Sequence, residues 1–289
     1  MARILRGTVV RDAIAADLKA KISCMPFVPT LAIIQLGAVP ESTVYINQKK
    51  KFAERIGAHV SHVTLSAMVS EGELVRQIQS FNNDPIIHGI IVQMPVPRHL
   101  NKRTLIETIA PEKDVDGLSA TNTKFLWDGE GDGFVPATAR GVLSLLNYYK
   151  ITVGGKHVVI VGRSTLVGKP IAALLLNRDA TVTLCHRKTK KLSTLTRSAD
   201  ILIAAAGSPR LIGIKHVRKG QVVVDVGITS PQIEGKLQDE VAGELVGDVD
   251  FAPVEKIVKA ISPVPGGVGP MTVSSLFQNL VEAAKQQTG

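Results

Sequence analysis

Aromatic side chains make up only 4% of the 289 residues, with one Trp and three Tyr. That scarcity excludes the stacking platforms on which single-stranded nucleic acids lie, and no zinc-finger spacing or RNP-like motif offers another route to a nucleic-acid partner. Cysteine is scarcer still: Cys24 and Cys185 stand far apart. They supply neither a disulfide framework nor a metal-ligand cluster, and they fit a reducing compartment. No apolar run approaches the ~18 residues that a membrane span requires. The first residues, Met-Ala-Arg-Ile-Leu-Arg-Gly, lack the apolar core and cleavage site of an export signal. The expectation is a cytoplasmic protein with no membrane partner and no bound metal.

What is present describes a globular chain, 45% hydrophobic and 20% charged, with a mean hydropathy of +0.18. Its length allows two domains of ordinary size. The net charge of +9 calls for an anionic partner. With nucleic acid set aside, small anionic ligands suit the two basic clusters, Lys49-Lys50-Lys51 and Arg187-Lys188-Thr189-Lys190-Lys191. Lys50 and Lys190 read as ordinary solvated lysines.

From Pro29 to Lys113 short apolar runs alternate with helical stretches, the pattern of an α/β sheet with crossover helices. Strands are expected at Thr30–Leu36, Val60–Leu65 and His88–Met94, the last stopped by Pro95 and Pro97. After the first strand, Val44, Phe52, Ala53 and Ile56 recur at helical spacing, so Tyr45 and Lys49 share one helix face. A phenol able to stack on a flat ring then lies beside an amine able to move a proton. Ser70-Glu71-Gly72-Glu73 is a capping box for a helix to about Phe81, and another helix is expected near Arg103 to Ile109. Gln93 stands at a strand's carboxyl end, where open α/β sheets gather ligands. In Pro111–Gly117 either Asp114 or Asp116 can hold the amino and amide groups of a heterocycle. Asp116 is favoured because Gly117 lets the backbone come close to a ligand, although a plain Asx turn explains the same letters.

The stretch from Phe125 to Phe134 reads as a loop between domains, and a helix then runs from Pro136 to about Tyr149. Beyond it, Lys156–Gly162 is a strand that enters Gly162-Arg163-Ser164-Thr165-Leu166-Val167-Gly168-Lys169-Pro170 and an apolar helix. Strand, glycine-bearing turn and helix N-terminus form a phosphate cradle. Ser164 replaces the middle glycine of the usual fingerprint, and the turn carries one extra residue. After the next strand, Ala180–His186, stand Arg187, Lys188, Lys190 and Lys191, where an NAD site would carry an acid. Together with Arg163 they point to NADP. Strands at Asp200–Ala206 and Gln221–Ile228 end near Gly207 and Gly227, where a cofactor can lie against backbone. The run Ser262–Thr272 is a rigid, sterically open loop. The helix after it has Val273, Leu276, Phe277, Leu280 and Val281 on one face and is expected to return to the first domain.

In order and spacing these stretches resemble the methylenetetrahydrofolate dehydrogenase/cyclohydrolase family. The matches are Tyr45 with Lys49, Gly89–Pro95 with Pro97, Pro111–Gly117, Gly162-Arg163-Ser164 with Val167–Pro170, Asp225–Ile228, Gly247-Asp248-Val249 and Pro263–Thr272. One departure stands out: Pro136-Ala137-Thr138-Ala139 replaces a Pro-Cys-Thr-Pro common in the family, which removes a thiol but keeps Thr138. The resemblance implies two α/β domains, the second Rossmann-like. A folate-binding catalytic domain would span 1–139, joined by the helix 271–289, and an NADP-binding domain 140–270.

It further implies NADP-dependent oxidation of 5,10-methylenetetrahydrofolate, followed by hydrolysis of the methenyl product. Lys49 would be the proton-transfer group, its pKa lowered by a cationic substrate, with Gln93 orienting it, Tyr45 stacking on the folate and Asp116 binding the pterin edge. Pro265, Gly266 and Gly269 would contact substrate. The cofactor would meet Thr138, Gly162, Arg163, Ser164, Val167, Gly168, His186, Arg187, Gly207, Gly227, Ile228, Gly269 and Thr272. A homodimer is implied, with the Leu202–Ala206 strand a candidate edge for it. A polyglutamate tail on the folate would give the positive charge a purpose. Short-chain dehydrogenases also pair Tyr and Lys four apart, but after their nucleotide fingerprint. Shikimate-type dehydrogenases share the domain order and would need other polar residues.

Overall fold

The computed structural model describes residues 1–229 and 245–288. Along the chain the elements are β1 (Arg3–Ile4), α1 (Gly7–Ser23), β2 (Thr30–Leu36), α2 (Pro40–Ile56), β3 (His59–Leu65), α3 (Glu71–Asn83), β4 (Gly89–Val92), α4 (Lys102–Thr108), α5 (Ala120–Asp128) and α6 (Ala137–Tyr148). They continue as β5 (His157–Val161), α7 (Gly168–Leu176), β6 (Thr181–Cys185), α8 (Leu192–Ser198), β7 (Ile201–Ala204), β8 (Val222–Asp225), α9 (Phe251–Glu255), β9 (Ala260–Ile261) and α10 (Gly269–Thr288).

The chain divides into two compact units. One contains Asp12–Ala137 and Val273–Gly289. Its sheet is parallel, in the order β3-β2-β4. All seven residues of β2 are buried, as befits a central strand covered on both faces. Leu31 and Ile33 join a core with α1, α2 and α10, while Ala32, Ile34 and Leu36 join another with α3 and α4. The period-two alternation thus feeds two helical layers. From α10, Leu276, Phe277, Leu280 and Val281 enter the first of these cores, and the Phe277 ring lies 5.4 Å from that of Phe52. This is the expected return of the C-terminal helix. Complete burial of a side chain of this kind contributes about 2–3 kcal/mol.

The other unit contains Met1–Arg11 and Thr138–Thr272. Its six strands run parallel in the order β1-β9-β8-β7-β5-β6, with α8 and α9 against the face that carries Val159, Leu202 and Val223. The sequence reading assigned residues 1–139 to the first domain, yet residues 1–11 cluster with this sheet. The reason is that Arg3 and Ile4 pair with Ala260 and Ile261, and a sequence pattern does not announce a two-residue strand. A second correction concerns the strand proposed as a dimer edge. β7 is buried throughout and lies between β5 and β8, so it offers nothing to a partner. A third concerns Phe125–Phe134, whose first part is helical in α5. Ser119 caps that helix by accepting from the Asn122 N–H, and Gly129 closes it.

Candidate functional site

In the three-stranded unit, the N-cap half of the expected capping box forms at Ser70, whose hydroxyl accepts from the Glu73 N–H at 3.2 Å. It anchors a helix on the far layer. The candidate residues sit on the near layer, which contains α2. Tyr45 and Lys49 lie one turn apart on α2, Tyr45 half exposed and Lys49 partly buried. The Lys49 ammonium donates to Gln93 Oε1 at 2.7 Å. Gln93 follows the last residue of β4, is held to the sheet by its N–H to Ile34 O at 2.9 Å, and donates its amide NH2 to Met94 O at 3.0 Å. That donation fixes which end of the amide faces Lys49. Ser42 donates its hydroxyl to the same carbonyl at 3.0 Å, tying the first turn of α2 to the loop after β4. The sequence reading missed Ser42, since a serine in a first helical turn looks like ordinary capping.

Burial lowers the Lys49 pKa from the ordinary lysine value, and Asp116 pulls it back up. The physical cause is thus desolvation by the protein, whereas the sequence argument invoked a cationic substrate. Asp116 itself is raised, chiefly by burial of its carboxyl and with Asp114 adding to the rise, while Lys49 and Lys102 oppose it. The structure separates the two carboxylates of the 111–117 loop. Asp114 accepts from the Ser119 N–H at 2.7 Å and from the Asn122 NH2 at 2.9 Å, so it is committed to holding the start of α5. Asp116 takes no such bonds from the described residues and is coupled electrostatically to Lys49. Gly117 has a different purpose from the one expected: an added Cβ would lie 2.5 Å from Phe134 O and 2.9 Å from Pro136 N. It admits the chain's own backbone.

Lys50, read as solvated, lies 3.1 Å from His62 Nδ1, and His62 Nε2 lies 2.9 Å from Gln35 Oε1. Burial and the Lys50 charge lower the His62 pKa, so a neutral ring ties the outer face of α2 to β3 and β2. Ala137 and Ala139 are both buried, which places the departure from the Pro-Cys-Thr-Pro pattern in packed surroundings. Thr138 between them stays partly accessible.

In the six-stranded unit, β5 runs into the expected turn. Gly162 has φ 128°, and a Cβ there would overlap Ala205 O; one at Gly168 would overlap Gly162 O. The turn therefore folds back on itself as only glycine permits. Ser164 Oγ accepts from the N–H groups of Val167 (3.2 Å) and Gly168 (3.4 Å), closing the turn before α7. Arg163 and Ser164 are exposed. At the end of β6 the His186 N–H donates to Thr189 Oγ1 at 2.8 Å, and the Lys188 N–H to His186 Nδ1 at 3.2 Å. This tight turn leaves Arg187, Lys188 and Lys190 exposed. Pro265 is exposed, and nothing stands within 4 Å of a Cβ built on Gly266. Gly267 instead meets Gly7, which donates its N–H to Gly266 O at 2.9 Å. Gly269 neighbours Ile228, whose side chain is exposed. Thr272 lies partly accessible in the first turn of α10. Gly162, Arg163, Ser164, Val167, Gly168, His186, Arg187, Gly207, Gly227 and Ile228 all follow the carboxyl ends of β5, β6, β7 and β8, the end at which such sheets hold ligands.

Two aspartates behind these loops had no role in the sequence reading. Asp248 accepts from the N–H groups of Ala206 (2.5 Å), Gly207 (3.0 Å) and Ser208 (2.7 Å). Asp225 accepts from Gly227 (3.0 Å), Asp248 (3.1 Å) and Val249 (2.9 Å). Burial, with Asp248 adding to it, pushes the Asp225 carboxyl up to about 7 against the pull of its N–H donors.

Residues 5–116 match the tetrahydrofolate dehydrogenase/cyclohydrolase catalytic domain, and 136–288 the NAD(P)-binding domain of the same family. The chain is 43% identical to the bifunctional protein FolD of Lactobacillus gasseri over the whole of both chains. Among solved structures it is similar to the bifunctional FolD enzyme of Campylobacter jejuni, with 41% identity, a TM-score of 0.93 and 99% of each chain covered. It is also similar to the Trypanosoma brucei FolD complexed with NADP cofactor and inhibitor, with 35% identity, a TM-score of 0.91, and 99% of this chain and 98% of that chain covered.

Proposed function

This chain belongs to the tetrahydrofolate dehydrogenase/cyclohydrolase family, and from that membership we propose how its own residues perform the two reactions. The protein is a bifunctional one-carbon folate enzyme. It oxidises 5,10-methylenetetrahydrofolate to the 5,10-methenyl cation and hydrolyses that cation to 10-formyltetrahydrofolate. The observation that carries the assignment of residues is the desolvated Lys49 amino group, 2.7 Å from Gln93 Oε1 and within the field of Asp116.

The folded turn at Gly162 and Gly168, the α7 N-terminus and the exposed basic groups fit a phosphorylated dinucleotide. NADP, when bound, accepts the hydride of the first step. Gly162, Ser164, Val167 and Gly168 would cradle its pyrophosphate, and Arg163 and Arg187 would pair with the 2′-phosphate. His186, Gly207, Gly227, Ile228, Gly269, Thr138 and Thr272 would border the rest of it. Pro265, Gly266 and Gly269 would face the folate, Tyr45 would stack on its rings, and Asp116 would bind the pterin edge. The first step needs mainly positioning.

In the second step water adds to the methenyl carbon. Neutral Lys49, oriented by Gln93, takes one water proton as the C–O bond forms and returns it to the ring nitrogen as the C–N bond breaks, while the remaining hydroxyl proton leaves to solvent as the formyl C=O forms. A lowered pKa keeps that amine available as a base.

A homodimer, a polyglutamylated substrate and a cytoplasmic location complete the proposal. Neither a nucleic acid nor a membrane has a part in it, and no helix among the described residues is long and apolar enough to cross a membrane.

The decisive assay supplies 5,10-methylenetetrahydrofolate with NADP or NAD and follows reduced cofactor and the methenyl chromophore together. Reduction with little methenyl accumulation supports both activities at a coupled site; no reduction with either cofactor refutes the proposal. In the same assay Arg187→Ala should raise the KM for NADP about tenfold or more and leave that for NAD unchanged. An unaltered ratio would move the phosphate contact to Arg163 or the lysines. Asp116→Asn should raise the folate KM about tenfold. It should also move the acid limb of the cyclohydrolase pH profile to lower pH, because Asp116 raises the Lys49 pKa. A limb that moved upward would break the link between these groups.

A further inference from the structure

We infer that Asp248 is a resident anion that fills the backbone nest at Ala206, Gly207 and Ser208, and that with Asp225 it positions the cofactor-facing loops after β7 and β8. Three consecutive N–H groups converge on one carboxylate at 2.5–3.0 Å, with Gly207 in the left-handed conformation at φ 62°. Successive amides arranged in this way form a concavity that binds anions. Left vacant, it would compete with the 162–168 turn for a cofactor phosphate; filled from within, it cannot.

Asp248 is in turn fixed by Asp225, which accepts the Asp248 N–H and grips both neighbouring loops through Gly227 and Val249. The Asp225 N–H donates to Ser262 Oγ at 2.7 Å, so the set is anchored next to β9. Both carboxylates are buried, Asp248 completely. The glycines around them follow from this arrangement: a Cβ on Gly227 would overlap the Asp248 carboxylate, and one on Gly247 would overlap Asp225 Oδ2. A larger residue at either place would push a loop off its carboxylate. The two aspartates are positioning residues, since they act on the cofactor through Gly207, Gly227 and Ile228. The inference rests on the dehydrogenase assignment and extends it by naming what holds that half of the site.

The test is chemical rescue of the full-length Asp248→Ala enzyme, with KM measured for NADP and for methylenetetrahydrofolate. The KM for NADP should rise at least about tenfold, from loss of charge-assisted bonds to three amides, and the folate KM should change less than about twofold. Sodium formate, which can enter the vacated nest, should restore much of the NADP KM, whereas sodium chloride at equal ionic strength should not. Equal rises in both constants, or a formate effect no larger than that of chloride, would overturn the inference. If Asp248→Ala does not fold, Asp248→Asn keeps the volume but turns an NH2 toward the amides. It should raise the NADP KM without formate rescue, and an unchanged NADP KM would sink the idea. Wild-type turnover in the same assay tests the dehydrogenase assignment separately.

Discussion

In Lys49→Ala the cyclohydrolase rate falls by about two to four orders of magnitude, the usual loss when a positioned proton-transfer group is removed, and the methenyl chromophore accumulates where the wild type passes it on. The expectation follows from three features of the lysine. Gln93 fixes its direction at 2.7 Å. Burial lowers its pKa, so a larger neutral fraction is available at a given pH. Lys49 acts on the Asp116 carboxyl, as Lys102 also does, but it is the one of the two that is bonded to Gln93 among the described residues. The wild-type rate should fall as pH drops and Lys49 takes up a proton, while the residual rate of the variant should lose that limb. Lys49→Arg separates charge from base chemistry, since a guanidinium stays protonated; it should be as inactive as the alanine variant. A Lys49→Ala enzyme that hydrolysed at the wild-type rate would remove Lys49 from the mechanism.

The second large effect lies in the other unit. Gly162→Ala should abolish measurable NADP reduction and lower stability by about 4 kcal/mol or more, among the largest costs of a single substitution. Two penalties combine. The residue sits at φ 128°, a conformation essentially reserved for glycine, and an added methyl would overlap the Ala205 carbonyl that β7 delivers to this spot. Relief of the overlap would pull apart the ends of β5 and β7, which define the cradle. Urea unfolding and direct NADP titration measure the two effects. Wild-type affinity in a folded Gly162→Ala enzyme would show that the cradle tolerates a side chain and would displace it as the phosphate site.

Much of this architecture was legible before any coordinates. The stretches Leu31–Ile34 of β2 and Val158–Val161 of β5 are continuously apolar because parallel strands are covered on both faces. The Tyr45–Lys49 pair, Gln93 and the Gly162 turn were visible because helical spacing, strand ends and glycine-bearing turns leave local marks. What stayed hidden depends on residues distant in sequence. Whether Asp114 or Asp116 is free is decided by Ser119 and Asn122, and the letters around the two acids are nearly alike. The environment of Lys49 is built by a strand more than forty residues away. Asp225 and Asp248 were present in recognised motifs, but their partners are backbone amides, and an amide leaves no letter. The helix α5 is obscured in the sequence because the glycines at 129, 131 and 133 read as loop, although Ser119 caps a helix that ends only at Gly129.

The pairing of Arg3 with Ala260 bears on the order in which the protein can assemble. The strand β1 leaves the ribosome roughly 250 residues ahead of its neighbour in the sheet, a delay on the order of ten seconds or more at ordinary synthesis rates. The three-stranded unit waits as well, since Phe277 and Leu280 come from the last helix. Neither half can close its core until β9 and α10 have been made. A nascent chain arrested before residue 260 therefore carries one incomplete sheet and one uncovered core, and both should be open to chaperones and proteases.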